Sequence, residues 1–295
     1  MKFTKIDITN IHELMPYLQK QKYQICDLTV GTLYHWRDYF NYEYLIHQNN
    51  LYIRGLFEGK TRYLIPLGDD DLEQQIRFLN YYSLAQGEKL NLAFVTQEAI
   101  GKIDDDFCLI INPEYFDYVY NITDLINLKG LKYKRQRNHI NKFYRLYKNY
   151  SYKEVTPDDI PQILEFLDEY KEETNERICA PIFKYEVEKT YDLVSNLFKL
   201  QQIAGILEVD GKVVALAIGE VIGDTVFVHI EKALRKYHGS YAVINNLFLK
   251  HLHREDLVYV NREEDLGDEG LRKAKQSYRP IKYIHKYNIT VKESK

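Results

Sequence analysis

Between Ile203 and Leu252 the apolar positions change their period. As far as Ala233 they fall in short strand-length runs, the last of which alternates apolar with other residues; from Ser240 they recur every three or four residues, as along a helix that buries one side. Asp210-Gly211 and Gly223-Asp224 are turn pairs that divide the first part into three strands, and Gly239-Ser240 closes the connection to the helix. In the third strand Val226, Val228 and Ile230 alternate with Phe227, His229 and Glu231, so strict alternation puts His229 and Glu231 on one polar face. The helix carries Val243, Ile244, Leu247, Phe248 and Leu252 on one side, with Ser240 where an N-cap belongs.

The same order of elements is expected earlier in the chain. Strands at Tyr42–Gln48, Leu51–Phe57 and Arg62–Leu67 precede a helix over Leu72–Ala85, a strand at Leu90–Val95, a short helix and a strand at Phe107–Ile111. After Ser240–His253 the second half continues with a strand at Leu257–Val260, a helix at Asp268–Ser277 and a strand at Ile281–Tyr287. The openings of the halves also match at one constant offset: Ile6 with Val155, Ile11 with Ile160, Leu14 with Ile163, Met15 with Leu164 and Leu18 with Leu167. Two copies of one α/β unit are the expectation, over residues 1–128 and 149–295, joined by a linker helix at 129–148.

Length and composition fit that picture. The 295 residues leave room for two ordinary domains, and 45% hydrophobic with 28% charged residues describes a globular chain. No apolar run is long enough to span a bilayer and the first twenty residues lack a signal peptide's apolar core, so a cytoplasmic protein is expected. Cys26, Cys108 and Cys179 are widely spaced, which argues against a disulfide framework or a zinc site and for buried small apolar side chains; no metal is expected. P-loop, HExxH, GxSxG and dinucleotide fingerprints are absent.

With a net charge of only −3, anion binding has to come from local clusters. One lies just ahead of the Ser240 helix: Arg235, Lys236, His238, Gly239 and Ser240 would offer cations and helix N-terminal amides to a phosphate. The corresponding loop of the first copy is Gly68-Asp69-Asp70-Asp71, which would repel one. A second cluster is the linker, KGLKYKRQRNHINKFYRLYK, where Lys134, Arg135 and Arg137 mark a nucleic-acid-binding or phosphate-binding stripe, or else the solvated side of a helix that bridges domains through Ile140, Phe143, Tyr144 and Tyr147.

The order of these elements resembles the GCN5-related N-acetyltransferase fold, in which the loop before the main helix holds the coenzyme A pyrophosphate; here that loop reads Lys236-Tyr237-His238-Gly239-Ser240-Tyr241. A closer resemblance is to the C-terminal domain of phosphatidylglycerol lysyltransferase, a tandem acetyltransferase-like family related to the Fem aminoacyltransferases. It is carried by KRQRNHINKFYRLY, HIEKALRKYHGSYAVINNLF and NREEDLGDEGLRKAKQSYRP, where Leu271, Lys275, Tyr278 and Pro280 match the family pattern and Ala274 replaces its Phe. The resemblance implies two tandem acetyltransferase-like units, each a mixed and mainly antiparallel sheet flanked by helices, and acyl-transfer ancestry.

On that reading the third strand of the meander and the strand ending at Asn261 splay to open a cleft. Glu231 stands as base, or as an ion-pair partner of Lys232 or Arg235; Glu263, Glu264 or Asp265 would deprotonate an amine nucleophile or hold its ammonium form, and Asn261 with a backbone N–H would orient the acyl carbonyl. Asp265, Asp268 and Glu269 read more simply as helix-start residues, and Lys275 would meet a phosphate or a substrate carboxylate. The expected function is transfer of an acyl or aminoacyl group from a coenzyme A thioester or aminoacyl-tRNA to an amine or hydroxyl of a small-molecule or peptide acceptor. A catalytically inert module that holds RNA or another anionic ligand on the same basic surfaces is the alternative.

Overall fold

The structure, a computed structural model, describes residues 1–103, 107–174 and 180–291. In chain order its strands are β1 (Thr4–Lys5), β2 (Glu43–His47), β3 (Asn50–Phe57), β4 (Lys60–Tyr63), β5 (Leu67–Gly68), β6 (Asn91–Thr96), β7 (Phe107–Ile111), β8 (Asp117–Asn121), β9 (Tyr150–Glu154), β10 (Ile203–Val209), β11 (Lys212–Ile222), β12 (Thr225–Ala233), β13 (Tyr259–Asn261), β14 (Lys282–Ile284) and β15 (Lys286–Val291). The α-helices are α1 (Met15–Leu18), α2 (Val30–Trp36), α3 (Leu72–Ala85), α4 (Gln97–Ile100), α5 (Ile122–Asn127), α6 (Lys134–Leu146), α7 (Ile160–Thr174), α8 (Pro181–Ser195), α9 (Ser240–Leu252) and α10 (Glu269–Ser277). Both expected meanders and the α3, α9 and α10 helices are present within a residue or two, except that the strand expected at Arg62–Leu67 is β4, which ends at Tyr63, with Leu67 in the separate strand β5.

Two compact units result, and their boundaries differ from the expected ones. The first holds residues 1–117, 264–268 and 283–295; the second holds 118–263 and 269–282. The first unit's sheet runs β1-β2-β3-β4-β6-β15-β7, with β5 beside β3. The second sheet runs β14-β8-β13-β12-β11-β10-β9. Two strands therefore change places relative to a plain tandem order. β8 comes from the end of the first half and pairs antiparallel with β13, while β15 from the chain's end fills the place between β6 and β7. The expected final strand Ile281–Tyr287 is accordingly two strands, β14 and β15, and the linker helix α6 belongs to the second unit.

The second unit's core explains both points. Val243, Ile244, Phe248 and Leu249 of α9 lie against Val214, Ala215, Ala217 and Val228, where the alanines let the helix approach the sheet closely. Ile140 and Phe143 of α6 join the same core, so the apolar side of that helix decides where it packs. Complete burial of Phe143 or Phe248 contributes roughly 2 kcal/mol each.

One irregularity sets up everything around the candidate site. Between β11 and β12, Ile218 faces Ile230 but Gly219 faces Val228, so His229 is an extra residue in a β-bulge. The bulge requires glycine: a Cβ at Gly219 would lie 2.2 Å from the Phe227 carbonyl oxygen. It also reverses the alternation, and the expectation that His229 and Glu231 share a face is wrong for that reason. Glu231 pairs with Ala217, on the face that α9 covers, whereas His229 reaches Glu220, on the opposite face of β11.

Gly219→Ala is expected to cost about 1–3 kcal/mol by overpacking against backbone that cannot yield, read as a lower denaturation midpoint. Gly101→Ala, whose Cβ would meet nothing within 4 Å, serves as the control and is expected to leave the midpoint unmoved.

Candidate functional site

Parallel pairing of β12 with β13 covers Thr225–Phe227 against Tyr259–Asn261 and then stops, while β12 runs on to Ala233. Past that point Glu231 and Arg262 meet. Arg262 Nη2 donates to Glu231 Oε2 at 2.9 Å, and Asn245 Nδ2 of α9 donates to the same oxygen at 3.1 Å. The two charged side chains are each 12% exposed. Both bonds land on Oε2, which leaves the other carboxylate oxygen uncommitted. Arg262 is held by its surroundings: its guanidinium lies 4.8 Å from the Tyr278 ring and 5.7 Å from that of Tyr120. Lys275 donates to the Arg262 carbonyl, and the Tyr120 hydroxyl donates to the Lys275 carbonyl at 2.9 Å. Two polar atoms beside this pair, Asn245 Oδ1 and Arg262 Nη1, are buried without a hydrogen-bond partner.

His229 sits between carboxylates. Nε2 lies 2.9 Å from Glu220 Oε1 and Nδ1 lies 2.7 Å from Glu263 Oε1, with the side chain 3% exposed. Burial opposes its charge, but the hydrogen bonds and attraction of Glu220 and Glu263 outweigh it and raise its pKa to about 9. At neutral pH it is an imidazolium that donates from both nitrogens, so it acts as a buried strut and not as a base. Glu263 is aimed by strained backbone: its φ is +58°, and Asn261 Oδ1 accepts its N–H at 2.7 Å. Asn261 is itself fully buried, so it shapes this turn instead of facing a reactant.

The loop expected to cradle phosphate is already occupied. Glu173 of α7 accepts the backbone N–H groups of Arg235 (3.0 Å) and Lys236 (3.3 Å), and Glu169 takes the Lys236 ammonium. The Tyr147 hydroxyl accepts the His238 N–H at 3.0 Å. Gly239, with φ +92°, is the N-cap in place of Ser240; a Cβ there would lie 2.4 Å from the His139 carbonyl oxygen. The Ser240 hydroxyl is turned inward to the Leu234 carbonyl, 3.2 Å away. Lys275, as described, holds Arg262. Arg137 donates to the Leu128 and Gly130 carbonyls, which leaves Lys134 and Arg135 as the exposed cations at the start of α6. Lys232 pairs with Glu186 at 2.7 Å, so neither it nor Arg235 is the partner of Glu231. Asp265 Oδ1 accepts the Gly267 N–H at 2.9 Å, as suits a turn ahead of α10. In the first copy Asp71 caps α3 and Asp70 accepts from Asn50.

A family model described as phosphatidylglycerol lysyltransferase, C-terminal, matches residues 20–290. The chain belongs to that family. A crystallised conserved protein of unknown function from Bacteroides thetaiotaomicron is 31% identical, with 99% of this chain and 100% of that one covered and a TM-score of 0.90. The L-PGS of Bacillus licheniformis matches at 13% identity over 98% of this chain and 93% of that one, TM-score 0.66, and FemX at 8% over 99% and 98%, TM-score 0.67. These last two share the fold: tandem acetyltransferase-like units with mixed sheets and flanking helices. A search of curated proteins found no match. Family and fold are thus acyltransferase-like or aminoacyltransferase-like, and no helix among the described residues is long and apolar enough to cross a membrane.

In this family member the first unit carries a buried ionic cluster that the sequence did not announce. Lys286 of β15, fully buried, lies 2.7 Å from Asp27, 2.8 Å from Asp117 and 3.5 Å from Glu264. The Cys26 thiol is 3.0 Å from Glu264 and 3.3 Å from Asp117, so Cys26 is buried, as expected, but among charges. Cys108 is exposed, against expectation, and Cys179 lies outside the described residues. Burial and the neighbouring carboxylates push the Cys26 thiol well up. Burial, with the other carboxylates, lifts Asp27 to about 7 although Lys286 pulls the other way. Cys26, Asp27 and Asp117 present atoms within 4.8 Å of one another, but the Lys286 ammonium lies among them and takes the place of a metal ion.

Arg262, Asn245 and Glu220 were missed from sequence. Arg262 stands between Asn261 and Glu263, and Glu220 lies nine residues before His229, across the β11–β12 hairpin, where it pairs with Phe227 on His229's own face.

Two outcomes follow. Because the folded pKa of His229, about 9, is above its ordinary 6.5, its contribution is complete below about pH 6.5 and is lost as pH rises through 9, a fall of roughly 3 kcal/mol. Denaturation midpoints across that range should drop in the wild type and stay flat in His229→Gln. Lys286→Met, which leaves three buried carboxylates without their cation, is expected to cost about 3–5 kcal/mol in the same assay.

Proposed function

We propose that the protein transfers an aminoacyl or other acyl group from an activated ester to a hydroxyl, with the reaction centred on Glu231, Arg262 and Asn245. One observation carries the reading: the three side chains joined at Glu231 Oε2, past the end of strand pairing, keep an uncommitted carboxylate oxygen, an unpartnered guanidinium N–H and an unpartnered amide oxygen among the described residues. A hydroxyl suits all three, since it accepts from Arg262 Nη1 and donates to Asn245 Oδ1 or to Glu231. An ammonium would face the charge of Arg262, and a carboxylate that of Glu231. An amine acceptor would have to arrive neutral.

In the reacting step the hydroxyl oxygen attacks the donor's ester carbonyl and its proton passes to Glu231. The new ester C–O bond forms, the donor's own ester C–O bond breaks, and the leaving oxygen takes the proton back from Glu231. Arg262, fixed by Tyr278 and Lys275, balances the charge that builds on oxygen.

Between the two donor classes, the occupied 235–240 loop favours aminoacyl-tRNA over a coenzyme A thioester. A pyrophosphate on that loop would meet the Glu173 carboxylate already bonded to its amides. Lys134 and Arg135 are exposed and suited to tRNA phosphates. The family description names a lysyl group and phosphatidylglycerol, a hydroxyl-bearing acceptor, which agrees with the geometry without assigning either to this chain. A module that only holds RNA would use the same cations of α6.

The test uses tRNA charged with radiolabelled amino acids and a panel of hydroxyl and amine acceptors. Wild type is expected to move label to acceptor, with Glu231→Gln and Arg262→Met slowing kcat/KM about 100-fold while tRNA binding is retained. Undiminished transfer by Glu231→Gln would remove that residue from the reaction, and salt-sensitive tRNA binding without any transfer would favour the binding module.

A further inference from the structure

We infer that Arg62, in the first unit, anchors a binding site for a small oxyanion, the carboxylate or phosphate group of a ligand with an apolar body. This site is separate from the one just described and does not depend on it.

Arg62 is 5% exposed, and its Nε and Nη1 are buried without a partner. Among the described residues no ion pair, hydrogen bond or ring contact engages the guanidinium. Its third nitrogen is not among those buried atoms and marks the side from which a ligand would enter. The other well-buried cations of the unit are compensated. Lys286 has Asp27 and Asp117, and Arg37 has the Tyr34 carbonyl at 2.7 Å and the Tyr34 ring at 3.8 Å. A buried charge normally escapes its desolvation cost by pairing or by changing protonation state. Arginine cannot lose its proton, so pairing is the only escape open to Arg62.

The surroundings say what kind of partner fits. Arg62 on β4 is paired across the ladder with Gly55 on β3, so both positions lie on one face of the sheet. Tyr42 fills the space in front of Gly55, its ring 2.7 Å from where a Cβ would stand. Phe57, two residues along on the same face, stacks on Phe40 at 4.6 Å and meets Phe94 edge-on at 5.4 Å. Glu43 does not reach across: it pairs at 2.7 Å with Arg54, whose position alternates to the other face. Phe94 adds an independent sign. Its φ of +57° is strained for a bulky residue, and such strain gathers at functional surfaces. A guanidinium on the same sheet face as these rings, with no carboxylate partner among the described residues, is arranged for two coplanar oxygens attached to an apolar group.

The experiment is calorimetry on the full chain in sodium phosphate, sodium acetate and sodium chloride at equal ionic strength, with Arg62→Met alongside. Expected is a Tm rise with phosphate or acetate that saturates and exceeds the chloride effect in the wild type. The rise should be absent in Arg62→Met, and in chloride that variant should melt no lower than the wild type, because an uncompensated charge has gone. Whichever anion saturates at the lower concentration names the ligand's group. No anion-specific rise, a rise that persists in Arg62→Met, or an Arg62→Met variant that melts lower in chloride would each overturn the inference. Should Arg62→Met fail to fold, the Nε–H signal of Arg62 in arginine-labelled wild type, assigned with Arg62→Lys, is followed through a phosphate and an acetate titration; a signal that stays still in both overturns it equally.

Discussion

A charge taken out of water must find an opposite charge or a set of dipoles within the fold, and this requirement explains most of what is unusual here. His229 is tolerable only between Glu220 and Glu263. Lys286 is tolerable only among Asp27, Asp117 and Glu264, which come from stretches of chain far apart in sequence. Asp117 is the last residue of the first unit before the chain leaves it, and Glu264 the first after it returns. A wrong strand exchange would leave that ammonium or those carboxylates unpaired.

The bulge at His229 shows how one backbone detail redistributes such charges. Without it, regular alternation would place His229 and Glu231 side by side, and a carboxylate next to an imidazolium would simply form a third ion pair. With it, each is delivered to a different face: His229 to a closed structural set, Glu231 to α9 and Arg262. The separation of a fully partnered set from one with unfilled valences follows from a single extra residue in β12, and that residue is tolerated because its ladder neighbour is Gly219.

Much of the architecture was legible in the chain. Strand and helix periods found both meanders, and α3 falls on Leu72–Ala85 because Asp71 and the spacing of Leu72, Ile76 and Leu79 are local signals. The exchange of β8 and β15 was not legible, since pairing between remote strands depends on edges that no local pattern records. The bulge was not legible either: Gly219 in a strand hints at one, but the position of the extra residue on the partner is set by tertiary packing. For the site, residue type was a fair guide to charge and a poor one to availability. Lys236, Arg137 and Lys275 are cations as expected, yet Glu169, a pair of backbone carbonyls and the Arg262 carbonyl respectively have taken them. The sequence shows a donor; only the fold shows whether its hydrogen bonds are already spent.

The same distinction separates two kinds of buried polar group in this molecule. Those with complete partners, such as Lys286 and His229, hold segments of chain together, and a ligand would have to break bonds to use them. Those with an unfilled valence, Arg262 Nη1 and Asn245 Oδ1 in the second unit and the Arg62 guanidinium in the first, carry a desolvation cost with no internal return. Arg262 Nη1 offers a proton and Asn245 Oδ1 accepts one, so a neutral hydroxyl answers both. No neutral water compensates a whole guanidinium in the same way, which is why the two sites call for different chemistry: a neutral donor and acceptor at the first, and a negative charge at the second.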